Sequence, residues 1–107
     1  MAVWKGLAAT AMLAAAVAGC APAPPKTVTV SIRDMAFSPL TVQVRPGDTV
    51  RWVNQDIFIH SATAADKQFD VELPVGGEGQ TVVKSPGEID YTCRYHPNMK
   101  GRILATG

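Results

Sequence analysis

The chain has 107 residues, 47% of them hydrophobic and 18% charged, with a formal net charge of +1. That is too apolar for a disordered chain and too short for more than one domain. Two histidines and two cysteines exclude most multi-metal enzymes and any disulfide-dense scaffold.

Residues 1–19 have the layout of an export signal: Lys5 precedes an apolar run from Leu7 to Gly19. A bilayer span needs about 20 apolar residues, and this run falls short. Val17-Ala18-Gly19-Cys20 resembles a bacterial lipobox, which implies cleavage before Cys20 and a lipid on Cys20. Loss of the leader removes Lys5 and leaves nine basic against nine acidic residues in Cys20–Gly107. A neutral domain without a basic cluster argues against nucleic acid as a partner. Residues 20–25 then read as the lipidated cysteine and a Pro-rich tether, since Pro22, Pro24 and Pro25 favour extended polyproline II.

Residues 26–107 read as one all-β domain. Period-two alternation starts at Val28, Val30 and Ile32 and recurs at Leu40, Val42 and Val44. Pro46-Gly47-Asp48 turns the chain into a strand over 49–54, with Val50 and Trp52 on the core side. Further strands are expected over 57–63, 80–84, 88–93 and 102–106, with Ser85-Pro86-Gly87 as a turn. Residues 64–79 show no clear period and offer only Phe69, Val71, Leu73 and Val75 as apolar contacts. The pattern predicts a Greek-key β-sandwich of about seven to eight strands. Its core is expected to rest on Phe37, Trp52, Phe58, Phe69 and Tyr91.

The chemistry is concentrated in Cys93-Arg94-Tyr95-His96-Pro97-Asn98-Met99, which reads Cys-x2-His-x2-Met. The remaining histidine, His60, lies 33 residues upstream of Cys93 on another strand. Singly, each has an ordinary reading: Cys93 as a small buried hydrophobe, Met99 as core filler, either histidine as a satisfied or solvated side chain. Jointly they are a thiolate, two imidazoles and a thioether, the donor set of a mononuclear electron-transfer copper site. Structural zinc usually takes more thiolates, and catalytic zinc needs an open position with a general base close by. No acidic residue is expected near this loop, the closest in sequence being Asp90.

The sequence also resembles the cupredoxins, nearest their amicyanin, pseudoazurin and plastocyanin-like branch. The resemblance runs from Val28 to Thr106. It is carried by Met35-Ala36-Phe37-Ser38-Pro39, by Val44-Arg45-Pro46-Gly47-Asp48-Thr49-Val50 through Trp52-Val53-Asn54, by His60, and by Tyr91 to Gly101. It implies one copper ion, Cu(I)/Cu(II), on His60, Cys93 and His96 with Met99 axial. Roles in supporting the ligands are expected for Ser61 and Asn54, and, because His96 lies in the loop, its ring edge is expected at the surface with Tyr95, Pro97 and Met35 as an apolar rim for docking. The family commonly places Asn where this chain has Ser61, so the shorter side chain is expected to bridge the two ligand segments less.

These readings converge on a non-enzymatic single-electron carrier of the bacterial periplasm or cell envelope, monomeric, lipid-anchored at Cys20 and served by transient redox partners. The alternative is an envelope copper-delivery protein with the same ligands. A metal-free interaction module is the remaining reading.

Overall fold

A computed structural model describes residues 23–107. The leader, Cys20 and the first tether residues lie outside them. Among the described residues there are nine strands and no helix. They are β1 (Thr27–Arg33), β2 (Ala36–Ser38), β3 (Thr41–Val44), β4 (Thr49–Asn54), β5 (His60–Ala64), β6 (Asp70–Leu73), β7 (Glu78–Val82), β8 (Gly87–Thr92) and β9 (Lys100–Ala105).

They form two sheets, in the order β2-β1-β4-β7 and β3-β9-β8-β5-β6. Neighbours are antiparallel except for β1 with β4 and β3 with β9. Alternation along the strands supplies the facing surfaces. Val30 and Ile32 of β1, Val50 and Trp52 of β4, and Ile89 and Tyr91 of β8 are buried, as are Val42 and Val44 of β3 and Ile103 of β9. Trp52 sits at the centre, with its ring 5.4 Å from both Phe69 and Tyr91, while Phe37 packs edge-on to Tyr91 at 4.8 Å. Burial of side chains this size stabilises by roughly 1.5–3 kcal/mol each. Gly101 lies opposite Tyr91 in the β8–β9 pairing, and a Cβ there would come within 2.2 Å of the Tyr91 ring. The tyrosine therefore lies across β9 only because position 101 has no side chain. Burial pushes the Tyr91 phenol up to about 12.

The sandwich has more strands than its sequence pattern suggests. The three-residue β2 is too short to show a period, and β6 falls in the stretch without one. The strand expected from Ile57 begins only at His60. Residues 57–59 form a loop whose apolar side chains face outward, so Phe58, at 49% exposed, is not part of the core. Periodicity registers apolar content, and here that content lies on a surface.

Candidate metal centre

Three elements meet at one end of the sandwich. Asn54 closes β4, and its side-chain amide donates to the carbonyls of Phe58, Leu73 and Pro74. Its Oδ1 accepts the Asp56 N–H at 3.0 Å. One buried side chain thus shapes the 55–59 loop and delivers His60 at the start of β5. The β1–β2 connection is a two-residue turn, Asp34-Met35, with both residues in the left-handed region (φ 53° and 62°). The third element is the connection from β8 to β9. Two successive tight turns, His96 N–H to Cys93 carbonyl and Met99 N–H to His96 carbonyl, fold it back on itself. The Cys93 N–H then donates to the Met99 carbonyl and closes the loop.

This arrangement brings His60, Cys93 and His96 together. The two Nδ1 atoms are 3.2 Å apart, and Cys93 Sγ lies 3.7 Å from His60 Nδ1 and 3.5 Å from His96 Nδ1. These separations define one common centre about 2.0 Å from every donor, close to a metal–imidazole bond length. Cys93 is a free thiol and is buried. The Ser61 N–H donates to its sulfur at 3.4 Å. Met99 is buried at the end of the same loop. A thiolate and two imidazoles around one centre are soft-to-intermediate donors suited to copper.

The two histidines differ. His60 is fully buried and His96 is half-buried, its ring edge-on to Phe58 at 6.3 Å between centroids. Met35, Tyr95 and Pro97 are exposed, as are Ile57, Phe58 and Ile59.

Ser61 bridges the ligand segments better than its length suggests. Its Oγ accepts the Arg94 N–H at 2.8 Å and pairs with Thr63 Oγ1, so the side chain ties β5 to the 93–99 loop. Asn54 acts on the 55–59 loop rather than on the thiolate.

Acidic side chains lie close to the site, although Asp90 is the nearest to the loop in sequence. Arg94 pairs with Asp70 and Glu72, and its guanidinium lies 5.1 Å over the Tyr95 ring. The Tyr95 hydroxyl donates to Glu72. Asp56 Oδ2 lies 2.9 Å from His60 Nε2. The hydrogen bond from His60, with others from the Met35 and Ile57 N–H groups, holds the Asp56 carboxyl below its usual value. Asp56 is the site residue that sequence reasoning missed. The available signal was its position, four residues before His60.

Residues 6–105 match the family described as "Cupredoxin-like domain". The chain is 34% identical over 103 residues to amicyanin-alpha of Methylorubrum extorquens, covering 90% of this chain and 87% of that one. Among solved structures, a purple cupredoxin from Nitrosopumilus maritimus superposes with a TM-score of 0.70 at 23% identity, over 74% of this chain and 99% of its own. Amicyanin from Paracoccus versutus superposes with a TM-score of 0.66 at 25% identity, over 81% of this chain and 86% of its own.

Proposed function

The chain belongs to the cupredoxin-like domain family, and from that membership we propose that it is a single-electron carrier with one copper ion held by His60, Cys93 and His96 and by Met99 as a weaker axial donor. The observation that carries the reading is the triangle of two Nδ1 atoms and one Sγ, which converge on a single centre at bonding distance. Copper supplies there a one-electron couple between Cu(II) and Cu(I).

The protein's own part is to hold the donors still. His60 is fixed by β5, Cys93 by β8 and the Ser61 N–H, and His96 by two turns within seven residues. Donors that barely shift between oxidation states keep the rearrangement small when an electron moves. His96 is the least buried of the three, which makes it the route by which an electron would enter or leave. Around it, Phe58, Tyr95, Pro97 and Met35 give a mostly apolar rim for a transient redox partner. Four protein donors leave no position for a substrate, so the role is carriage rather than catalysis. We place the protein in the bacterial cell envelope on the export-type leader over 1–19. Lipid on Cys20 and the tether over 20–25 would hold the 26–107 domain near a membrane as a monomer.

The test is an optical and EPR spectrum of the purified domain loaded with Cu(II). An intense thiolate-to-copper absorption and reversible one-electron reduction are expected. Colourless protein that releases Cu(I) readily would mark copper delivery, and failure to retain stoichiometric copper would mark a metal-free module.

A further inference from the structure

Asp56 sits where two regions with no shared strand meet. Its Oδ2 accepts the Met35 N–H at 3.0 Å and lies 2.9 Å from His60 Nε2, and its Oδ1 accepts the Ile57 N–H at 3.0 Å. Its own N–H donates to Asn54 Oδ1. Its side chain is only 10% exposed, and that of His60 is 0% exposed. The carboxylate is therefore fixed by backbone donors before it meets the imidazole. A carboxylate only accepts, so His60 must carry its proton on Nε2. Its Nδ1 lone pair then faces Cys93 Sγ and His96 Nδ1.

We propose that Asp56 is the positioning residue for His60. Held by the Asp34-Met35 turn, it fixes the imidazole tautomer and orientation before metal arrives, and its negative charge favours the more highly charged copper state. The proposal rests on the copper reading for its second half only.

One observation and one general rule support it. Met35 and Asp34 both adopt left-handed backbone, which residues that carry side chains rarely take. The Met35 N–H bond to Asp56 offsets part of the cost of that conformation, so turn and carboxylate stabilise each other. Carboxylates on the far nitrogen of a ligand histidine orient the ring and strengthen it as a donor, and losing one typically costs 10–100-fold in metal affinity.

The first experiment needs no metal. Ring nitrogen NMR of the metal-free protein should show His60 as the Nε2–H tautomer, and Asp56→Ala should mix the two tautomers. An unchanged tautomer in Asp56→Ala overturns the positioning role. The second uses Asp56→Asn, which keeps an acceptor oxygen but removes the charge, with Cu(II) and Cu(I) affinities measured by chelator competition. Cu(II) affinity should fall about tenfold or more relative to Cu(I), raising the potential by about 59 mV per tenfold. Equal changes in both affinities overturn the charge effect. If the wild-type protein binds no copper, the electron-carrier reading fails, while the tautomer measurement still decides the role of Asp56.

Discussion

Asp48 and Asp56 stand beyond opposite ends of β4, and both fasten backbone to backbone. Asp48 accepts the Lys26 N–H on one oxygen and the Arg45 N–H on the other, which joins the start of β1 to the β3–β4 turn. Asp56 accepts the Ile57 and Met35 N–H groups and also holds His60 Nε2. The same device closes the sandwich at one end and aims a donor at the other. The difference teaches that the site end is built from ordinary stabilising parts with one bond diverted to chemistry. Damage at the two ends should therefore separate: function first at one, stability alone at the other.

The largest effect is expected from Cys93→Ser. Oxygen cannot replace the sulfur that gives the thiolate-to-copper absorption, so the visible band of the loaded protein should vanish while the fold, read by circular dichroism, persists. A band retained in this variant would remove Cys93 from the site. The histidines should respond unequally. His60→Gly deletes a fully enclosed ring and leaves Asp56 without its partner. It should cost on the order of 3 kcal/mol in urea unfolding, and added imidazole should not restore the spectrum. His96→Gly opens a half-buried position to solvent, so it should cost little stability, and millimolar imidazole should restore the band. Equal rescue of both would erase the contrast between them.

Ser61→Ala should fall between the two ends in character. It leaves the Arg94 N–H without its acceptor, a loss of roughly 1–3 kcal/mol, and it also loosens the 93–99 loop. Both the unfolding midpoint and the copper spectrum should shift. The smallest effect belongs to Asp48→Asn, which should leave the spectrum unchanged. Hydrogen bonds from the Lys26 and Arg45 N–H groups hold the Asp48 carboxyl below its ordinary value of 3.8. The charged form is the one favoured by folding, so its contribution is full above pH 3.8 and is lost as pH falls below it. Thermal melts of wild type and variant should differ at pH 7 and converge on acidification. A gap that widens in acid would reverse the assigned sign.

Much of the site was legible because its donors are rare. Both histidines and the one cysteine of residues 26–107 fall in one spacing, and the structure brings all three to one centre. Asp56 was not legible, because acidic residues are common in this chain and an i, i+4 contact is expected of a helix rather than of a loop. It meets His60 only because Asn54 bends residues 55–59 back onto β4 and β6. The fold divides in the same way. Strands β1, β3, β4 and β8 announced themselves by alternation. The short β2 and the weakly patterned β6 did not, since their pairing comes from neighbouring strands rather than from their own residues. The triplet Ile57-Phe58-Ile59 misled for the opposite reason: strongly apolar, it lies on a surface.

Strand β9 comes last in chain order yet lies inside its sheet, between β3 and β8. A chain that stopped at Met99 would carry His60, Cys93 and His96 but lack the strand on which both neighbours close. Without Lys100–Ala105, β3 has no partner in that sheet and Gly101 is not in place beneath Tyr91. The last of the nine strands is thus the one that locks the 93–99 loop against the rest of its sheet, so a truncation there should cost the whole fold rather than one edge.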